Sequence, residues 1–305
     1  MAVETRVSVV MHNIMSNDLK AELFKDVTPG GSWFPKTCDA LSHVAVIIPF
    51  RDRQTHLEIL LQNLHPFLQH QKIHYTIFVI EQVPPVTFNR ALLMNVGFVE
   101  SQHTYNFSCY IFHDVDLIPE NNQLLYTCPQ ANPAPVPLSR PSQTPNKVVK
   151  IHFGAQSGRA NETPYRGYIG GVVAVSRETF TSVNGFSNVY FGWGGEDDDF
   201  RKRLTDKGIK IQYLPPEIGR YKAIAHGKDK TNPKNIMREF FLYHTKWLQP
   251  VDGLTSLRYS KVSLEKRPTY TLIRVNVSEE DVIEGYGERR KEGGGAEVMK
   301  LNAES

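Results

Sequence analysis

The sequence predicts an α/β domain with a mostly parallel central sheet flanked by helices. Three observations predict it. The run His43-Val-Ala-Val-Ile-Ile-Pro-Phe50 is short, almost wholly apolar and rich in β-branched residues, as a strand buried on both faces of a parallel sheet must be. Strand-like and helix-like periods then alternate over about eighty residues, strand, helix, strand, helix, strand, the pattern of a doubly wound half. Charged residues gather where the strands should end, Arg51-Asp52-Arg53 after the first and His113-Asp114-Val115-Asp116 after the third. Ligands of such sheets collect at the strands' carboxyl ends.

Residues 1–30 show no sustained period and close on Pro29-Gly30-Gly31, which predicts a loosely ordered lead-in to one domain over 31–280. Leu57, Leu60, Leu61, Leu64, Phe67 and Leu68 recur at three- and four-residue spacing, so a helix is expected over 55–71. A second strand follows over Tyr75–Ile80, a helical stretch opens at Phe88-Asn89-Arg90 and runs to Phe98, and Cys109–Phe112 is the third strand. The interval 129–157 is rich in Pro, Ser, Asn and Gln and reads as a long surface excursion. Beyond it, Tyr168–Ser176 resumes the buried-strand pattern, and Arg177–Val183 is a short helix stopped at Asn184-Gly185. Helix is expected over Phe200–Lys207 and Met237–Leu248, and strand over Ile209–Leu214 and Thr269–Val277. Residues 281–305, charged and then glycine-rich, read as a disordered tail.

A formal charge of +3 over 305 residues, with no basic run interleaved with aromatics, argues against nucleic acid as a partner. The longest strongly apolar run, Val44–Phe50, is too short to cross a bilayer, and no apolar leader core stands near Met1, so no membrane anchor is expected in this chain. Sequons at Asn106, Asn161 and Asn276 tilt slightly toward a secretory lumen. Cys109 and Cys128 flank a strand and the loop after it; they could close a disulfide in an oxidising compartment or remain buried thiols. Cys38 is the odd one, either free or paired with a cysteine upstream.

The stretch Phe186–Leu204 carries the strongest chemical signal. Glu196, Asp197, Asp198 and Asp199 follow a Gly192-Trp193-Gly194-Gly195 loop and run into a helical pattern. Acids favour the positive end of a helix, which accounts for the carboxylates alone. An indole between glycines, whose free φ lets backbone move and approach a ligand, suggests a lid over a sugar. Asp114 and Asp116, if extended, would present two carboxylates on one side, hard oxygen ligands suited to manganese or magnesium and through it to a diphosphate. Arg51, Arg53 and Arg90 fall at the same sheet edge, and guanidinium forks match phosphate oxygens; His226 could complete the metal shell, although a lone histidine is more often structural. With one acid taking a proton from an attacking hydroxyl, the set describes a direct, inverting glycosyl transfer.

Several blocks in order, Val44–Arg53, Phe88–Ala91 with Asn95–Phe98, Asp114–Pro119, Gly170-Gly171, Asn184–Phe186, Phe191–Asp199 and Asp252–Tyr259, resemble the beta-1,4-galactosyltransferase family. The resemblance implies a GT-A-type, Rossmann-like nucleotide-diphospho-sugar transferase fold, manganese, UDP-galactose as donor, and transfer to the 4-hydroxyl of a terminal GlcNAc or glucose- or xylose-like acceptor. Position by position it implies UDP-sugar contacts from Pro49, Phe50, Arg51, Asp52, Arg53, Phe88, Asn89, Arg90, Asp114, Val115, Asp116, Tyr168, Trp193, His226, Gly227 and Lys228. Tyr165, Gly171, Gly194, Gly195, Glu196, Asp197, Asp198 and Asn235 would bind the acceptor, with Asp197 as base, Asp116 and His226 as metal ligands, and Cys109–Cys128 as a disulfide. Family members are Golgi membrane proteins, which implies the Golgi lumen, with room for a modifier subunit or a homodimer.

Three positions depart from the family pattern. Ala223 stands where a methionine often precedes the metal-binding histidine, an Arg-Phe pair that packs the acceptor's N-acetyl group falls near Asn235-Ile236, and Ile169 adjoins the Tyr168 that goes with galactose. The alternatives are therefore UDP-GalNAc as donor and, in another class, a sugar- or UDP-binding protein without turnover.

Overall fold

The computed structural model describes residues 6–12, 17–40, 42–128, 148–153, 165, 167–215, 217–227 and 232–283. In chain order they form α1 (Asn17–Leu23), β1 (Ser32–Trp33), β2 (His43–Phe50), α2 (Gln54–His70), β3 (His74–Gln82), α3 (Arg90–Ser101) and β4 (Cys109–His113). Then come β5 (Leu117–Pro119), β6 (Val148–Phe153), β7 (Gly171–Ser176), α4 (Arg177–Ser182), α5 (Glu196–Asp206), β8 (Lys210–Tyr213) and β9 (Tyr221–Ala223). α6 (Arg238–Leu248), a 3-10 turn at Leu254–Ser256, β10 (Ser260–Lys266) and β11 (Thr271–Asn276) complete the described chain.

The main sheet runs β10-β11-β3-β2-β4-β7-β6-β8, with β1 added on β3. Its centre, β11-β3-β2-β4, is parallel throughout. β7 enters antiparallel between β4 and β6, and β5 pairs with β9 in a separate two-stranded ribbon.

Alternation along β2 divides the core. Val44, Val46 and Ile48 pack with Leu57, Leu60, Leu61 and Leu64 of α2, while Ala45 and Ile47 join Leu92, Leu93 and Val96 of α3. α3 lies so close to β2 that a Cβ on Gly97 would come within 2.3 Å of Ile47 Cγ2. Its first turn is fixed by Asn89, whose side chain accepts a hydrogen bond from Leu92 N at 2.9 Å. The first residue of α3, Arg90, is thereby aimed at the carboxyl ends of β2 and β4.

Three parts of the chain depart from the sequence reading. The 129–157 excursion contains β6, whose Val148, Val149, Ile151 and Phe153 were hidden by the Pro-, Ser- and Gln-rich run before them, while 129–147 and 154–157 lie outside the described residues. The lead-in contains α1 and is tied to α2 by amides: Gln62 Nε2 donates to the carbonyls of Val10 and His12, and Asn63 Nδ2 to that of Val10. Hydrophobic periodicity is blind to such ties. Of the tail, 281–283 is described and Val282 is buried in the core; 284–305 lies outside the described residues.

α5 is held by a buried ion triad. Arg203, fully buried, donates from Nε to Asp199 at 2.5 Å and from Nη2 to Asp252 at 3.0 Å, and Asp252 also accepts from Ser187 Oγ at 2.5 Å and Asn188 N at 2.9 Å. Removing one partner strands a buried charge. Asp252→Ala is expected to cost about 3–5 kcal/mol in chemical denaturation, and a loss under about 1 kcal/mol would show that the triad does not hold α5.

Candidate active site

The carboxyl ends of β2 and β4, the start of α3, Tyr165, the 167–171 segment and the glycine loop before α5 enclose a cleft of about 570 Å³. Pro49 of β2 and Arg51 and Arg53 just after it line the cleft; Phe50 turns into the α2-side core, and Asp52, exposed with φ +50°, does not line it. Arg51 is nearly buried, donates to the Val86 carbonyl at 2.7 Å and lies with its guanidinium 5.0 Å from the centre of the Phe88 ring. It braces the loop that carries Phe88 into the cleft. Asn89 is wholly buried and spends its amide on the α3 cap and on the Asn188 carbonyl, so it shapes the site from behind.

Asp114, Val115 and Asp116 all line the cleft, but not as an extended strand. β4 ends at His113, and the three residues form a turn closed by Leu117 N to the Asp114 carbonyl at 3.4 Å, so strand alternation does not apply and the two acids take different partners. Asp114 accepts from Arg90 Nε at 2.6 Å, and Asp116 Oδ2 lies 3.0 Å from His226 Nε2. Behind the turn His113 is buried and neutral, its pKa lowered to about 4 by burial, with Nε2 at 2.8 Å from the Tyr126 hydroxyl and Nδ1 at 2.8 Å from the Asp114 carbonyl.

Across the cleft stands the acidic stretch. Gly192, Gly194 and Gly195 have φ of +90°, +100° and +101°, conformations that suit glycine and turn the chain into α5. The acids are in the helix's first turn, four residues earlier than the Phe200 start read from periodicity, because their side chains carry no apolar signal. Glu196, Asp197 and Asp198 face the cleft; Asp199 faces the core. Trp193 is 60% exposed, with its backbone strapped to Pro233 and Asn235 by hydrogen bonds of 2.8 and 3.0 Å. Tyr165 donates to Asp198 at 2.9 Å, Tyr168 and Gly171 line the same wall, and Ile169 between them is buried in the core.

Charge sets the protonation of this wall. Arg90 bridges Asp114 and, at 3.5 Å, Glu196; burial alone would lower its pKa, but these carboxylates hold it above the ordinary value. Burial, then repulsion from Asp197, pushes Glu196 up to about 7, and Glu196 Oε2 is buried with no hydrogen-bond partner. Burial likewise raises Asp114 to about 6 and raises Asp197, whose rise Arg90 restrains.

Among the described residues no three His, Cys, Asp or Glu side chains stand gathered as a metal cage. Asp116 and His226 do fit a divalent cation as a pair. His226 Nδ1 is 2.8 Å from the Gly227 carbonyl, which turns Nε2 toward the Asp116 carboxylate and presents one nitrogen and one oxygen to a common point. Such a donor set suits manganese and leaves positions open for phosphate oxygens.

Lys228 lies outside the described residues. Asn235 is buried, accepts a hydrogen bond from Met237 N on Oδ1 at 2.8 Å and does not line the cleft; its neighbour Ile236 is 90% exposed. The cleft is instead closed there by Arg238, Glu239 and Leu242 of α6, with Asn232 and, opposite, Gly170. Sequence reasoning missed these. An arginine opening the α6 pattern was the available signal for that wall.

Residues 2–129 match the family model described as the N-terminal region of glycosyl transferase group 7, and residues 155–227 the one described as the N-terminal domain of galactosyltransferase. Beta-1,4-galactosyltransferase 4 of Cricetulus griseus is 43% identical over 270 residues, covering 86% of this chain and 72% of that protein. The chain belongs to the beta-1,4-galactosyltransferase family. Beta-1,4-galactosyltransferase 4 of Homo sapiens is 44% identical over 81% of this chain and 67% of its own length, and beta-1,4-galactosyltransferase 1 of Mus musculus 40% identical over 85% and 61%. Among solved structures, the catalytic domain of Drosophila beta1,4galactosyltransferase 7 with xylobiose superposes with a TM-score of 0.60 at 26% identity, covering 78% of this chain and 95% of that one. A point mutant of that enzyme, solved with manganese, UDP-Gal and xylobiose, gives 0.59. The family's fold is thus the one seen here, and Cys109 and Cys128 are bonded while Cys38 is free and exposed.

A carboxyl whose pKa is raised by folding binds its proton more tightly in the native state, so its contribution to stability falls as pH rises from the unfolded to the folded value. For Glu196 that window runs from 4.5 to about 7. Glu196→Gln should therefore unfold at a higher temperature than the parent at pH 8, by roughly 1–3 kcal/mol in stability, with the advantage shrinking toward pH 4.5. An advantage that is constant across this range would remove Glu196 as the titrating group.

Proposed function

We propose that the protein is an inverting, manganese-dependent galactosyltransferase that moves galactose from UDP-galactose to the 4-hydroxyl of a terminal GlcNAc, or of a glucose- or xylose-like residue, on a glycoconjugate. The observation that carries this reading is the convergence of two chemistries on one cleft. Asp116 and His226 meet at 3.0 Å on one wall, and Asp197 stands among half-buried carboxylates on the other.

In this reading Arg51 and the Phe88 it braces hold the nucleotide end of the donor. A cation held by Asp116 and His226 would offset the charge of the diphosphate as it leaves. Asp197 accepts the proton of the acceptor's 4-hydroxyl while that oxygen bonds to the anomeric carbon and the bond to the diphosphate breaks, inverting the carbon. Arg90 favours the ionised form of Asp197 that this requires. Trp193, exposed on its glycine loop, excludes water when it covers the bound sugar.

The position of Tyr168 in the lining, with Ile169 turned into the core, supports galactose over N-acetylgalactosamine, since the side chain facing the donor is the tyrosine. The Cys109–Cys128 bond and exposed Asn106 and Asn276 of two sequons support an oxidising, glycosylating compartment such as the Golgi lumen. No described helix is long and apolar enough to cross a membrane.

Asp197→Asn should retain UDP binding and lose roughly a hundredfold or more in turnover, read as UDP release with and without manganese; parent-like turnover would remove Asp197 from the chemistry. A Cβ on Gly170 would lie 2.3 Å from the Tyr168 hydroxyl and 2.5 Å from Asp197 Oδ2, so Gly170→Ala should displace the base and cut turnover about tenfold or more with the fold intact by circular dichroism. In a donor competition on a GlcNAc glycoside, UDP-galactose should be consumed faster than UDP-GalNAc; the reverse order makes this an N-acetylgalactosaminyltransferase. Affinity for UDP without any transfer would identify a binding protein.

A further inference from the structure

We propose that the Tyr126 hydroxyl is a positioning group for the cation site: through a buried relay of Tyr221, Tyr126 and His113 it holds in register the two chain segments that carry Asp116 and His226. The inference rests on the metal site proposed above. It concerns two tyrosines that neither the resemblance nor the sequence motifs singled out.

Asp116 and His226 reach the cleft from separate segments, one in the turn after β4 and the other beyond β9. What joins them directly is slight. Ile224 N donates to the Asp116 carbonyl at 2.8 Å, and β5 pairs with β9 over three residues, from Leu117 opposite Ala223 to Pro119 opposite Tyr221. A two-stranded ribbon is marginal by itself, so its register against β4 needs a further tie.

His113, Tyr126 and Tyr221, all buried, supply it. His113 Nδ1 lies 2.8 Å from the Asp114 carbonyl, which only accepts, so Nδ1 carries the ring proton. The other nitrogen meets the Tyr126 hydroxyl at 2.8 Å rather than a carboxylate. A buried imidazolium without a counter-charge is costly, so the ring is neutral and Nε2 accepts. Tyr126 thus donates its one proton to His113, and it accepts in turn from the Tyr221 hydroxyl at 3.1 Å. Every donor points the same way, from β9 to the first carbonyl of the 114–116 turn, and hydrogen bonds chained in this way strengthen one another.

Tyr126 is a fixed post between the two segments. Its N–H donates to Gln71 Oε1 at 2.8 Å just past α2, its ring meets Phe67 edge-on at 5.2 Å, and Cys128 nearby is bonded to Cys109 of β4. Packing alone does not call for the hydroxyls. Phenylalanine at 126 and 221 would fill nearly the same volume without burying two O–H groups, which a core tolerates only with partners. The partners here lead to the cation pair.

The test is amide hydrogen exchange on the metal-free protein, with manganese affinity measured alongside by electron paramagnetic resonance, without UDP or acceptor. Tyr126→Phe keeps the ring and breaks the relay. It should speed exchange about threefold or more at Ile224 N, which bonds to Asp116, and weaken manganese binding about three- to tenfold, the scale of one neutral hydrogen bond. Tyr75→Phe is the control, since it removes a matched buried bond, Tyr75 hydroxyl to His65 Nδ1 at 2.8 Å, at the amino end of β3. It should lower the melting temperature and leave both readouts as in the parent. Tyr221→Phe breaks only the outer bond and should give a smaller change in the same direction. Combined with Tyr126→Phe it should add nothing, and it decides by the same readouts if Tyr126→Phe does not fold. Parent-like exchange or parent-like affinity in Tyr126→Phe, or equal changes in Tyr75→Phe, would overturn the inference. No manganese binding by the parent, or binding unchanged in Asp116→Ala, would overturn the metal site and with it the relay's role there; exchange at Ile224 tells that failure from failure of the relay itself.

Discussion

The cleft depends on one half-buried guanidinium. Arg90 reaches Asp114 at 2.6 Å, Glu196 at 3.5 Å and the Gly171 carbonyl at 3.5 Å, and so joins the end of β4, the entry to β7 and the start of α5. Asp114, Asp116, Glu196 and Asp197 crowd around it, and unpaired carboxylates taken out of water repel and protonate. A cation fixed among them lets most of that charge stay. Arg90 owes its place to backbone: Asn89 caps the helix one residue earlier, and Gly97 lets that helix sit directly on β2.

The acidic run of α5 serves two masters because a helix has two sides. Asp199 points inward to Arg203 and secures the helix to the Asp252 segment, while Glu196, Asp197 and Asp198 point into the cleft. The buried triad ties the helix to the Asp252 segment on the side away from the cleft carboxyls. Burial raises both Glu196 and Asp197, and Arg90 restrains both rises. One wall thus offers a carboxyl that titrates near neutrality beside the proposed base.

Much of the fold is legible in the sequence because apolar periodicity reports burial. The pattern gives β2 residue for residue as 43–50, and α2 within one residue at each end. What escapes it is built from polar atoms. β6 follows a polar, proline-rich run that hides its own apolar residues, and β10, with mostly exposed residues, gives no buried pattern. The 114–116 turn reads in sequence as an extension of β4, since chain direction after a strand is set by hydrogen bonds such as those of His113 rather than by hydropathy. Glu196, Asp197, Asp198 and Trp193 line the cleft, whereas Asn89 is drawn into a helix cap and Asn235 into a local turn, and Arg238 comes from a helix whose role depends on tertiary packing. Sequence patterns name the residue types a site needs; which face they occupy is decided by partners distant in the chain.

A crystal structure with manganese and UDP-galactose, phased for the manganese anomalous signal, tests the central claim most directly. The account predicts one strong peak about 2–2.5 Å from Asp116 and His226, touching the diphosphate, with the sugar's anomeric carbon directed at the Asp197 wall. A manganese peak away from Asp116 and His226, or a donor lying outside the cleft between them and Asp197, would contradict it.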